Sequence, residues 1–311
     1  MPYLMFELKV SDERKSQYEE FLRLNSLGVQ KTSEHLLRAL QLMAPQDDAF
    51  THGVVFTLAR HIAEEVDTIS ILVEKGCVEP CKAHLRSAFE AELGIRYIFE
   101  CDSERRAVAY HAKEARERLR ANEKYDARTE VGMRVREAIK SDPIGVDVLN
   151  SLPEYDFDSE NESIREMLSE PPYAEVNAEY DTKPKNKAWH ALFGGPRTIR
   201  ELAYHLDRPF WYEFLYADWS GRLHAGNALR NVAINSKEPE RKGKAIRPLR
   251  HPDGLREIYN FGLGMSSGVA TLLGQRYLTD IGREDLRRFY LDEIKPINDQ
   301  LKDVKITANW H

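Results

Sequence analysis

The sequence predicts an all-α protein, and three observations carry that reading. Apolar residues recur at spacings of three and four through most of the chain. Gly, Pro, Ser and Asp fall where those patterns break, at the places where helices start and stop. No convincing run alternates apolar and polar residues as a half-buried strand would, and only Tyr3–Val10 reads as extended.

The elements follow in order. From about Ser11 to Met43, Tyr18, Phe21, Leu22, Leu36, Leu37 and Leu40 form one apolar stripe, and Pro45 and Asp47 end it. A second helix spans about Asp48 to Lys75 on Val55, Leu58, Ile62, Val66, Ile69 and Val73. Gly76 suits its C-terminal stop, and Pro80 suits the first turn of a third helix reaching Glu100 on Leu85, Phe89, Leu93, Tyr97 and Ile98. A fourth begins near Ser103 and runs to about Arg128 with charges on its outer face. Helices joined by such short turns predict an antiparallel bundle.

The middle of the chain differs. Glu154–Asp181 holds ten acids and one base, Arg165, together with Pro171 and Pro172. Self-repelling charge and few apolar residues predict an exposed, partly disordered insertion. Helical patterning returns at Ile199–Asp207, about Pro209–Leu229, about Asp253–Leu278 and Arg283–Leu301. The expected organisation is one helical domain over residues 1–311, with the acidic insertion 154–181 inside it.

Composition narrows the class. The 311 residues are 42% hydrophobic and 31% charged, with 17 Gly and 14 Pro, which excludes collagen-like, low-complexity and disulfide-scaffold chains. A net charge of −6 makes no overall demand for nucleic acid or an anionic membrane. Three cysteines (Cys77, Cys81 and Cys101) fit a reducing compartment. The first ten residues lack a basic n-region, and the uncharged stretch Ile258–Gln275 is broken by polar and small residues. A cytoplasmic protein with no membrane association is expected.

Several chemistries find no support. Cys77, Cys81 and His84 flank a helix start and indicate no fourth ligand, and His61, Glu64 and Glu65 lack a paired second motif, so no metal site is predicted. His61, Glu64 and Glu65 read as a solvated face. The Gly262–Gly268 run follows no strand and has the wrong spacing for a nucleotide loop; its small residues suit close helix approach. No P-loop is present, and no cofactor is predicted. The segment Arg241–Arg250 carries Arg241, Lys242, Lys244, Arg247 and Arg250 without an acid. It reads either as a solvated loop or as a loop that contacts phosphates.

Two segments carry a family resemblance. The first, Leu72–Ala91, ends in Leu85-Arg86-Ser87-Ala88-Phe89-Glu90; the second joins Trp189 and Ile199–Ala203 to Tyr216-Ala-Asp-Trp-Ser220-Gly-Arg-Leu-His224. Together they resemble a family of uncharacterised bacterial helical proteins that pairs an Arg-Ser-x-x-Glu helix with a Tyr-x-x-x-Ser-x-x-x-His helix. That family looks related to the HEPN (higher eukaryote and prokaryote nucleotide-binding) bundles, many of which are metal-independent ribonucleases of toxin–antitoxin and phage-defence systems. The resemblance implies an HEPN-like bundle, RNA as substrate, a regulatory or antitoxin protein as partner, and a homo-oligomer. The sequence departs from the usual HEPN signature, an Arg followed four to six residues later by His, because His224 has no Arg at that distance.

The residues make chemical sense beside it. On a helix, Tyr216, Ser220 and His224 share a face at four-residue steps, as do Arg86 and Glu90. Where the two faces meet, His224 serves as general acid/base, Arg86 as a fork for phosphate and Glu90 as the group orienting the imidazole, with Ser220 or Tyr216 assisting. RNA supplies its own 2′-hydroxyl nucleophile. The same residues read also as a structural network: a salt bridge within one helix and a polar tie between two. The expected activity is thus RNA cleavage by a defence effector; the alternative is a non-catalytic helical module that dimerises or binds a protein.

Overall fold

The computed structural model describes residues 12–43, 49–151, 156–182, 188–219, 232–234, 244–246, 250 and 252–304. The described chain is all-α apart from one short hairpin, in which Val232–Ile234 (β1) pairs antiparallel with Lys244–Ile246 (β2). Tyr3–Val10 lies outside the described residues. Two compact units form: residues 1–96 with 203–311, and residues 97–202. The acidic segment belongs to the second.

In the first unit, α1 (Asp12–Leu42) packs along α2 (Ala49–Glu74) and along α11 (Leu255–Tyr277). Val29, Leu36, Ile62, Val66 and Ile69 form the buried seam, with Tyr259 and Met265 from α11. Hydroxyls tie the helices where an apolar contact could slide: Ser26 Oγ donates to the Ser70 carbonyl at 2.9 Å and Ser33 Oγ to the Ala63 carbonyl at 2.8 Å. Gly76 ends α2 at φ +70°, a left-handed conformation that favours glycine. Its N–H reaches the Val73 carbonyl, and the next N–H, of Cys77, reaches the Leu72 carbonyl. This turn sends α3 (Val78–Glu100) back alongside, which fixes which faces of α2 and α3 meet.

The C-terminal helices α12 (Asp280–Phe289) and α13 (Lys295–Asp303) are joined through a π-turn at Tyr290–Ile294 and also pack on α1. The Gly262–Gly268 run sits inside α11, as its small-residue reading predicts. A Cβ on Gly264 would lie 2.7 Å from Cη2 of Trp211, so this glycine admits the indole. Among the described residues, no helix is long and apolar enough to cross a membrane.

The second unit is organised on α4 (Ser103–Tyr125), followed by α5 (Glu130–Ile139) and α6 (Pro143–Ser151). Here the expectation for the acidic segment is corrected. Phe157–Ser169 (α7) and Tyr173–Asp181 (α8) are helices that pack against α4. Leu168, Tyr173, Val176 and Tyr180 are buried, while most of the acids face outward. The physical reason lies in α4 and the turn after it, which supply the counter-charges. Arg118 pairs with Glu160 at 3.0 Å, Arg116 with Asp181 at 2.8 Å and Arg128 with Asp158 at 2.8 Å. A short 3₁₀ turn at Trp189–Gly194 completes the unit, with the Trp189 ring against Tyr97 and Tyr110.

Candidate functional site

The expected meeting of the Arg86 and Tyr216 faces occurs, within the first unit. Tyr216 closes a π-turn, Tyr212–Tyr216, that follows α9 (Ile199–His205) and the single turn Pro209–Trp211 (α10) in the chain. Within the π-turn the Ala217 N–H reaches back five residues to the Tyr212 carbonyl. π-Turns inside helices are rare and recur at functional sites, because the extra residue re-aims a side chain. Here the re-aimed side chain is Tyr216, stacked on Tyr212 with ring centroids 5.2 Å apart.

Its hydroxyl bridges two charges on α3. Arg86 Nη2 donates to the Tyr216 oxygen at 2.7 Å, and that hydroxyl donates to Glu90 Oε1 at 2.8 Å. Arg86 and Glu90 also pair directly at 3.2 Å, one helical turn apart. The guanidinium stands 4.5 Å from the Tyr216 ring centroid. Burial pushes the Tyr216 phenol up to about 12, so near neutral pH it acts as a proton-bearing donor and not as a base.

Arg86 and Tyr216 pack the triangle against an apolar cluster of Phe89, Trp211, Leu215, Trp219 and Met265 that leaves no room for a water molecule. The triangle itself is neither sealed nor fully wet: the Arg86 side chain is 23% exposed and Glu90 is 41% exposed. Arg86 Nε is buried with no hydrogen-bond partner among the described residues. A cation held in a partly dry setting, with part of its fork uncommitted, suits an anionic oxygen.

Ser220 and His224 lie outside the described residues, as do Arg241, Lys242 and Arg247. Of the remaining basic positions, Lys244 is in β2, which fits the non-helical reading of that segment, and Arg250 is exposed. Arg250 stands beside the Gly76 turn: a Cβ on that glycine would lie 3.4 Å from the Cβ of Arg250.

Sequence reasoning missed a second polar cluster, between α2 and α3. His84 Nδ1 lies 2.6 Å from Glu65 Oε2, and the other carboxylate oxygen, Oε1, lies 3.4 Å from His61 Nε2. His61 Nε2 is in turn 2.8 Å from Ser87 Oγ. Reading His61, Glu64 and Glu65 as a solvated face holds for Glu64, which pairs with Arg60 at 56% exposure. It fails for Glu65, only 17% exposed. The signal was present as His61/Glu65 at i,i+4 and His84/Ser87 at i,i+3, on two helices that one glycine turn folds together. Cys81 is buried, with its thiol directed at the Cys77 carbonyl, and no group of three or more candidate metal ligands is found among the described residues.

The model of a family of unknown function, DUF5677, matches residues 52–241, a span that contains both clusters. No curated protein and no solved structure matches the chain.

Proposed function

We propose, for a chain that belongs to the family of unknown function DUF5677, a metal-independent endoribonuclease of the HEPN kind that acts in the cytoplasm as a toxin-like effector of phage defence. The Arg86–Tyr216–Glu90 triangle carries the reading. It holds a guanidinium of α3 against an aromatic cluster, beside a carboxylate, and ties both to Tyr216, which precedes Ser220 and His224 in the sequence. Arg86 takes a phosphate oxygen, Tyr216 fixes the guanidinium, and Glu90 orients the imidazole of His224, the proposed general acid/base. Ser220 assists, and the basic residues Arg241, Lys242, Lys244, Arg247 and Arg250 hold the RNA backbone. A homodimer restrained by a regulatory or antitoxin protein completes the reading.

The test is RNA cleavage and growth toxicity with Arg86→Ala, Glu90→Gln and His224→Ala, each checked for thermal stability. Loss of cleavage in stably folded variants supports the proposal. Activity that is unchanged, or that falls only in proportion to lost folding, ends it.

A second reading, a protein-binding module, is favoured by one observation. Phe210 and Phe214, the latter within the π-turn, lie with ring centroids 5.0 Å apart and remain 56% and 68% exposed. Exposed paired aromatics of this kind mark contact surfaces. Co-purification of a partner with wild type, lost in Phe214→Glu without loss of folding, supports that reading.

A further inference from the structure

Within the first unit, two guanidinium groups converge on one carboxylate, and one of them is left without a hydrogen bond. Glu92 of α3 is 1% exposed. Its Oε1 accepts from Arg96 Nε at 2.7 Å, one helical turn further on, and lies 3.6 Å from Nη2 of Arg208, the residue that precedes Pro209 of α10. The other oxygen, Oε2, is buried with no hydrogen-bond partner among the described residues. At 3.6 Å Arg208 attracts the carboxylate without bonding to it. The Arg208 guanidinium makes no hydrogen bond among the described residues.

The local charge is unbalanced, with two cations against one anion. Both cations are partly dry, Arg96 at 18% exposure and Arg208 at 26%. Burial lowers the Arg208 guanidinium from its ordinary value, Glu92 offsets part of that, and the like charge of Arg96 adds to it. A structural ion pair would be matched one to one, whereas a surplus cation in reach of solvent is what an anion needs. The α11 backbone makes room beside the pair. A Cβ on Gly268 would lie 3.2 Å from Arg96 Nη2 and 3.9 Å from Glu92 Oε1, so glycine lets the guanidinium lie against the helix.

We infer that Arg96 and Arg208 form a binding site for the phosphate group of a small molecule. Both guanidinium groups reach the same Glu92 oxygen, close enough together for one tetrahedral phosphate to accept from both, whereas a planar carboxylate fills a single fork. Glu92 holds Arg96 in place through Nε and leaves its two Nη groups free for the ligand. Arg96 lies ten residues beyond Arg86 on α3, about 15 Å along the helix axis, so this site is separate from the Arg86 triangle and does not rest on the RNA-cleavage reading.

The experiment is isothermal titration calorimetry of the full chain with inorganic phosphate, at an ionic strength held constant with chloride. One saturable site per chain is expected. Arg208→Gln should weaken binding by at least about tenfold, with the Tm in the absence of phosphate nearly unchanged because Arg96 remains on Glu92. Arg208→Lys, which keeps the charge and loses the fork, should fall between the two. Glu92→Gln removes the competing negative charge and should tighten binding by at least about threefold, an effect that a purely structural network would not produce. Should that variant fail to fold, the two Arg208 variants decide the matter. AMP that binds more tightly than phosphate assigns a phosphate ester as the ligand, and equal affinities assign the free anion; adenosine should bind in neither case. Phosphate binding that Arg208→Gln leaves unchanged, heats that chloride reproduces, or no saturable binding to wild type would each overturn the inference.

Discussion

Tyr216 and Glu90 stand 126 positions apart in the chain and share a 2.8 Å hydrogen bond in which the phenol donates to the carboxylate. The same oxygen accepts from Arg86, so one hydroxyl separates and satisfies two opposite charges. Tyr216→Phe keeps the ring against Phe89 and Tyr212 but removes that bridge. Hydrogen bonds to charged groups contribute about 1.5–3 kcal/mol, and the direct Arg86–Glu90 contact offsets part of the loss, so the expected cost is roughly 1–2 kcal/mol. Urea denaturation of wild type and variant measures it. An unchanged midpoint would show that the triangle adds nothing to folding.

Alkaline pH should weaken the first unit through its buried phenols. Burial raises Tyr18, Tyr216 and Tyr259 from an ordinary value of 10.0 to about 12 each. A folded-state value above the unfolded one means that the folded chain holds its protons longer. The associated stability is therefore fully present below about pH 10 and is lost as pH rises toward 12. Thermal midpoints at pH 7.5, 8.5 and 11 should be level between the first two and fall at the third. Tyr216→Phe, lacking one of the phenols, should fall less steeply.

Glu92 is the most buried charge among the described residues, 1% exposed on α3 between Arg96 at 2.7 Å and Arg208 at 3.6 Å. Burial pushes its carboxyl up while the two guanidinium groups pull it down. Glu92→Ala leaves Arg96 and Arg208 partly buried without their counter-ion. Removing one partner of a buried pair costs about 3–5 kcal/mol. Chemical denaturation is the measure, and a loss under about 1 kcal/mol would mean that the pair is solvated in solution.

The sequence made the helices legible because their apolar spacing is unambiguous and Gly76 and the prolines punctuate them. The Arg86–Glu90 and Tyr216 faces were legible for the same reason: four-residue steps share a face on any helix. Three features were not. The π-turn at Tyr212–Tyr216 leaves no mark in an apolar pattern, yet it aims the Tyr216 hydroxyl. Glu65 carries no sign of burial in its own neighbourhood, because the helix that covers it follows a turn. The acidic segment was weighed by its own ten acids, whereas Arg116, Arg118 and Arg128, which neutralise part of it, lie elsewhere in the sequence. For Glu65 and the acidic segment the deciding partner is distant in the chain.

That acidic segment now carries a prediction of its own. Asn122, 2% exposed on α4, donates to Asn161 at 2.8 Å and also to Glu160 on α7. Asn122→Ala leaves the buried Asn161 amide oxygen without this donor, at about 1–3 kcal/mol. Limited proteolysis should spare Phe157–Ser169 and Tyr173–Asp181 in wild type and cut there faster in the variant. Early cutting of wild type within either helix would show that their packing on α4 is weak.

Gly28 of α1 lies against the Tyr259 ring of α11. A Cβ placed on Gly28 would lie 2.5 Å from Cε2 of the Tyr259 ring, which is 1% exposed. In an open helix, Ala is favoured over Gly by about 1 kcal/mol. Here the ring has no room to retreat, so the gain is reversed and overpacking costs about 1–3 kcal/mol net. Gly28→Ala should therefore lower the urea midpoint, in the direction opposite to helix propensity. Tyr259→Leu is destabilising alone, because a large buried ring is lost and a void remains. Combined with Gly28→Ala it should cost less than the sum of the two, by at least about 0.5 kcal/mol, since the leucine vacates the space that the new methyl enters. Strict additivity of the double variant, or a Gly28→Ala protein more stable than wild type, would show that α1 and α11 do not meet at this pair.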